Sequence, residues 1–125
     1  MAKRVNIYRC PICQSVVELI DDGGHSLTCC GVPMQLQSLQ AKQEVDEFHT
    51  PQLTHRNGLL YVKVGSKPHP QSDDHHISFI LFVTKQNVRR LDIKRNTPAN
   101  AVFTDKDHGD VYAYCNVHGL FKTSF

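Results

Sequence analysis

Tryptophan is missing from the 125 residues, and so is any apolar run near the ~18 residues that a membrane span needs. The connection from Gln37 to Phe48 carries neither an internal repeat nor a Gly/Ser low-complexity tract. No stretch carries a convincing helical pattern. A concentrated charge of one sign is lacking too. The formal net charge is +2, and Arg89-Arg90 and Lys94-Arg95 are short pairs rather than a basic face, which argues against a nucleic-acid binder. The opening segment Met1–Ile7 is charged and runs directly into a cysteine motif, without the hydrophobic region of a secretory signal. A soluble, cytoplasmic protein is therefore expected, one that spans no membrane.

An even set of cysteines is also absent. Five are present, four before residue 31 and one at position 115, which does not suit a secreted disulfide framework and favours metal sites. Cys10-Pro11-Ile12-Cys13 places two sulfurs on one tight turn, and Cys29-Cys30 supplies two more after Gly23-Gly24. So short a segment has too little apolar surface for a core and needs a metal to fold. Residues 1–36 are read as this metal module. Neighbouring cysteines must splay to share one ion, unlike the paired CxxC turns of a zinc ribbon. From spacing alone, structural zinc and a redox-active CxxC thiol remain open.

The fifth cysteine lies in Tyr114-Cys115-Asn116-Val117-His118-Gly119, where a thiolate and an imidazole sit three residues apart at a strand-to-turn junction. Upstream, His49 precedes Thr50-Pro51, His69 is flanked by Pro68 and Pro70, and His75 opens an apolar run. The prolines favour rigid, extended presentation of the histidines before them. His75 and His76 are neighbours, and a strand would send them to opposite faces. Four imidazoles and one thiolate make a five-donor site with a sixth position open. That set suits iron better than the four-coordinate tetrahedron of structural zinc, and a thiolate on such a centre points to reduction or activation of a small oxygen species.

These motifs, with Cys29-Cys30-Gly31-Val32-Pro33-Met34, Glu47-Phe48-His49-Thr50-Pro51 and Val64-Gly65-Ser66-Lys67-Pro68-His69-Pro70, occur in the order found in the desulfoferrodoxins. The chain resembles that family of two-iron superoxide reductases along nearly its whole length. The resemblance implies an Fe(Cys)4 centre on Cys10, Cys13, Cys29 and Cys30. It also implies a second iron with His49, His69, His75 and His118 in the equatorial plane and Cys115 axial. Glu47 would be a sixth ligand of that iron when oxidised, and His76 a bystander. The implied activity is one-electron reduction of superoxide to hydrogen peroxide, fed by a rubredoxin-like or other reduced donor, in a homodimer. An electron-transfer protein with a slow or vestigial second site is the alternative. His25, His55 and His108 match no ligand motif and are expected at the surface.

Residues 37–125 are read as the second domain. Its first part, to Phe48, is a polar connection expected to be ordered against the rest of that domain. Strands are expected at Leu59–Val64, Ile77–Thr84, Val88–Ile93, Ala101–Thr104 and Val111–Cys115, separated by turn signals such as Asn57-Gly58 and Asn96-Thr97-Pro98. This spacing predicts an antiparallel β-sandwich, and the resemblance makes it immunoglobulin-like. One position departs from the family pattern: Phe48 stands where a lysine before the first ligand histidine is typical. Lys67, two residues before His69, is the candidate substitute cation.

Overall fold

The computed structural model describes residues 4–37, 39, 47–104 and 108–125. Two compact units result, Arg4–Ser38 and Leu39–Phe125. All regular structure among the described residues is β.

In the first unit, β1 (Ile7–Arg9) pairs antiparallel with β2 (Val16–Glu18), and the hairpin of β3 (Thr28–Cys29) and β4 (Val32–Pro33) leads to β5 (Gln35–Leu36) on the other side of β1. Of its described apolar residues only Ile7 and Cys10 are buried. Two residues make no core, as the sequence led one to expect. The backbone closes instead around the cysteine turns: Cys10 N–H donates to Ser15 O at 2.9 Å and Gln14 N–H to Cys10 O at 3.0 Å.

Among its described residues the second unit is a sandwich of seven strands. Its elements are β6 (Pro51–Arg56), β7 (Leu59–Val64), β8 (Ile77–Val83), β9 (Val88–Asp92), β10 (Asn100–Thr104), β11 (Asp110–Cys115) and β12 (Gly119–Ser124). One sheet runs β10-β7-β6 and the other β12-β11-β8-β9. The chain thus changes sheets between its second and third strands, and again on either side of the fifth, in the immunoglobulin-like manner. Asn57 and Gly58 join β6 to β7 with φ of 54° and 75°, the doubly left-handed turn that matches hairpin twist.

Alternation puts Leu60, Val62 and Val64 of β7 and Ala101 and Phe103 of β10 inside, against Ile77, Ile80 and Phe82 of β8 and Val111, Ala113 and Cys115 of β11. Phe82 stacks on Phe103 across the sheets at 4.9 Å between ring centroids. Each fully buried aliphatic or aromatic side chain here contributes roughly 1.5–3 kcal/mol relative to exposure. Cys115 belongs to this core, so one candidate ligand is anchored by the main hydrophobic cluster.

All five expected strands are present to within a residue of their expected ends. Two more were not anticipated. β6 reads Pro-Gln-Leu-Thr-His-Arg and lies at a sheet edge, where one half-buried Leu53 suffices and the periodicity is weak. β12 comes after the Cys115–His118 turn and is recruited by pairing with β11. Within the connection expected to precede this unit, residues 40–46 lie outside those described, and Leu39 forms a bridge to Leu120.

The approach to the sandwich is set by one glycine. Gly65 has φ of +79°, and a Cβ there would lie 2.6 Å from Glu47 O and 2.7 Å from the Phe48 carbonyl. Those are backbone atoms of the segment that delivers His49, so they cannot yield without moving it. Gly65→Ala is expected to destabilise the second unit by about 2 kcal/mol or more. Gly23→Ala, with nothing within 4 Å of the added Cβ, should change stability little; chemical denaturation of both variants measures the difference.

Candidate metal centres

The first cluster is built by two turns. Cys10 and Cys13 come from the β1–β2 connection, Cys29 ends β3, and Cys30 opens the β3–β4 connection. Adjacent cysteines face one point because the backbone turns left-handed there, with φ of 53° at Cys30 and 75° at Gly31. Cys13 and Cys29 sulfurs are 3.7 Å apart and Cys29 and Cys30 sulfurs 3.8 Å. Sulfurs at the corners of a tetrahedron with metal–sulfur bonds near 2.3 Å lie about 3.8 Å apart, so the spacing fits one tetrahedral ion.

Local donors prepare two of the sulfurs as thiolates. The backbone N–H groups of Cys13 and Ile12 lie 3.5 and 3.4 Å from Cys10 Sγ, and the Cys13 amide is the leading cause that lowers the Cys10 pKa. Ser15 Oγ, 3.1 Å from Cys13 Sγ, together with the other groups around that sulfur brings the Cys13 thiol down to about 6. Cys29 is pushed up to about 12, first by the Cys10 sulfur and then by Cys13, and Cys30 is raised, first by Cys13. Four sulfurs this close cannot all carry negative charge without a cation between them, so metal binding must displace protons.

The second cluster gathers residues from three separated parts of the chain. His49 precedes β6, His69 and His75 lie on the β7–β8 connection, Cys115 ends β11, and His118 closes the turn to β12. At its end the β8–β11 ladder slips: Tyr114 pairs with Phe79 but Cys115 with Ile77. Such a bulge re-aims the side chain next to it. Donor atoms of His49, His69, His75 and Cys115 all lie within 4.8 Å of one another, and His118 Nδ1 is 3.6 Å from Cys115 Sγ.

The four imidazoles form a ring. Successive centroid distances are 4.7 Å from His49 to His69, 4.7 Å to His75, 5.0 Å to His118 and 4.7 Å back to His49, with a 6.3 Å diagonal between His49 and His75. Neighbouring rings are steeply inclined, between 61° and 78°. This is close to a square. His49, His69, His75 and His118 would hold a metal between them with Cys115 as the sulfur donor, and a metal so held would have room for a small ligand.

The protonation states suit ligation. His69 Nδ1–H can donate to Pro70 O at 2.6 Å, which directs Nε2 inward. The buried Nε2 atoms of His69 and His75 have no hydrogen-bond partner, although buried polar atoms are almost always paired. Burial lowers the pKa of both rings, keeping them neutral with lone pairs available. Cys115 Sγ accepts from His118 N–H at 3.4 Å. The donor set therefore fits a metal, and a square of imidazoles with one thiolate is not the tetrahedron of zinc.

Glu47 is not among the gathered donors; its exposed carboxylate is paired with Lys67 Nζ at 3.3 Å. His76 lies in the loop before β8 rather than in a strand, buried with Nδ1 2.9 Å from Ser72 O, and takes no part in the donor cluster. His25, His55 and His108 are exposed, as expected. Sequence reasoning missed two supports of the site. Phe121 stacks on the His49 ring at 4.5 Å and 13°, and Asn116 bonds to the residues on either side of His75. Both stand within six residues of Cys115, which was the available signal.

Fold and site together define a mainly β, non-haem metalloprotein with one all-sulfur centre and one imidazole–thiolate centre. The chain belongs to the desulfoferrodoxin family: residues 40–124 match the desulfoferrodoxin family and residues 2–37 its N-terminal domain, and the two clusters are consistent with that family's two iron sites. A desulfoferrodoxin homologue of Archaeoglobus fulgidus is 35% identical over 98% of this chain and 99% of its own. The desulfoferrodoxin of Syntrophotalea carbinolica is 32% identical over 98% of each. The desulforedoxin of Megalodesulfovibrio gigas is 40% identical over 30% of this chain and 100% of its own. The superoxide reductase of Treponema pallidum has the same fold, with a TM-score of 0.78 at 20% identity over 98% of this chain and 99% of that one.

The two clusters share no residue. Cys13→Ser is therefore expected to abolish the spectrum of the all-sulfur centre and to leave that of the imidazole–thiolate centre unchanged, as read by visible absorption and EPR of the iron-loaded protein.

Proposed function

We propose that this chain is a superoxide reductase, reducing superoxide with one electron and two protons to hydrogen peroxide. The observation that carries the reading is the near-square of His49, His69, His75 and His118 with the Cys115 sulfur beside it. Bound there, ferrous iron supplies the electron and an open coordination position for a small anion. The protein's part is to present four imidazoles and one sulfur to the same point, to keep the buried rings of His69 and His75 neutral, and to admit water as the proton source. The electron comes from a rubredoxin-like or other reduced donor. A cytoplasmic location belongs to the same proposal.

A homodimer belongs to it as well. On the sheet of the first unit Tyr8 pairs with both Val17 and Leu36, so the three side chains share a face, and Val17 and Leu36 are 39% and 50% exposed. A second copy would cover this apolar row. A concentration-independent monomer mass by sedimentation at micromolar protein would reject it.

Mixing reduced protein with a superoxide pulse tests the activity. Stoichiometric peroxide without oxygen is expected, and Cys115→Ser should lose it while the cysteine module still reduces and oxidises. Cycling of the module alone in the wild-type protein, with no superoxide-driven oxidation of the second centre, would favour the electron carrier.

Substrate capture is a separate matter. Phe48, 41% exposed, brings no charge to the position beside His49, and Lys67 is paired with Glu47, which partly neutralises it. An added cation near the open position concentrates an anionic substrate, less so as salt screens it. Phe48→Lys should raise the second-order rate constant about tenfold at low ionic strength, equivalent to ~1.4 kcal/mol, and lose most of the gain in high salt. Lys67→Ala should lower the rate if Lys67 is the substitute; equality with wild type at every salt concentration would make it a bystander.

A further inference from the structure

The loop that carries His75 is held by side chains where the β ladder has run out. β8 begins at Ile77, and the slip at Tyr114–Cys115 leaves Ile77 as the last residue paired to β11. His75 therefore stands two residues beyond the ladder. A ligand there would swing with the loop unless other bonds replaced the missing ones.

Asn116 replaces them. Its Oδ1 accepts the His76 N–H at 2.8 Å, its Nδ2 donates to Asp74 O at 2.9 Å, and its own N–H donates to His76 O at 3.1 Å. One carboxamide thus grips the residue before His75 and the residue after it. Asn116 also comes directly after Cys115 and stands two residues before His118, so the same side chain ties His75 to the two donors of the β11–β12 turn.

On the other side of the loop Ser72 Oγ accepts the His75 N–H at 3.2 Å, and Gln71 accepts from Ile77 N–H at 2.7 Å and donates to Ile77 O at 3.2 Å. Gln71 is two residues from His69. Its bonds fix where the His69 loop meets β8, whereas the bonds of Asn116 fix where His75 meets Cys115.

We propose that Asn116 is the positioning residue of the imidazole–thiolate centre, setting His75 against Cys115 and His118 by a carboxamide that brackets His75 on both sides. The task needs an acceptor and a donor on one short, uncharged side chain. Asp keeps the acceptor and loses the donor; Ala loses both. Misplacing one corner of the imidazole square would weaken metal binding and change its symmetry, and partners that orient ligands typically matter 10- to 100-fold in metal affinity. The inference rests on the reading that the five donors hold one iron, and does not depend on what that iron reduces.

The test uses the full chain loaded with two irons, and tracks chelator-driven iron release, the thiolate-to-iron charge-transfer band and the EPR signal of the second centre. The all-sulfur centre is the internal reference. Asn116→Ala is expected to release the second iron at least tenfold faster and to shift its band and EPR signal, while the first centre keeps its spectrum. Asn116→Asp should fall between, because it retains the bond to His76. Wild-type release and spectra in Asn116→Ala would overturn the proposal, as would a lowered Tm with release and spectra unchanged, which would mark an ordinary structural residue. If Asn116→Ala does not fold, Asn116→Asp decides by the same two measurements. Wild-type protein that binds the second iron but leaves superoxide unreduced would overturn the activity proposed above and not the role of Asn116.

Discussion

Burying nitrogen lone pairs that have nothing to bond with is the constraint on which the second unit depends. An unsatisfied buried polar atom costs roughly 1–3 kcal/mol, and His69 and His75 each present one. A sandwich core would exclude such atoms if packing alone decided. A bound metal would accept them, and the surrounding β structure brings together the imidazoles that would hold it.

That gathering comes from where the donors are rooted. Cys115 is part of the main hydrophobic cluster, His49 is delivered by a segment locked against Gly65, and His69 is confined between two prolines. The core keeps its ordinary task of joining two sheets. The site occupies one end of it, where strands β6, β8 and β11 start or finish and the ladder gives way to turns. The first unit solves the opposite problem. With only Ile7 and Cys10 buried among its apolar residues, it has no packing to hold its sulfurs together, and the ion they share must replace a core.

The two clusters also differ electrostatically. The cysteine cluster is an arrangement of mutually opposed charges, two sulfurs inclined to ionise and two held back, which a cation resolves. In the other, burial lowers the pKa of His69 and His75 and Cys115 is the one sulfur donor. A ferrous ion held there would outweigh the charge of one thiolate, and its excess positive charge would draw a small anion even without a lysine at position 48.

Much of this was legible in the residues alone. Donor chemistry was, because the cysteines and histidines fall in short motifs, several of them next to a proline, a glycine or another cysteine that limits their conformations. The five central strands were, because alternation and bounding turns are local properties. Edge strand β6 and the returning β12 were not, since each is recruited by a partner strand rather than by its own pattern. Nor was the work of Asn116, Gln71 and Phe121, whose partners lie up to 72 residues away along the chain for His49 and Phe121 and 42 for Asn116. The sequence by itself determined which atoms could bind metal and how many; only the tertiary structure decided that four imidazoles close into a square, because the spacing of their rings is set by a ladder slip and by side-chain amides that no local pattern encodes.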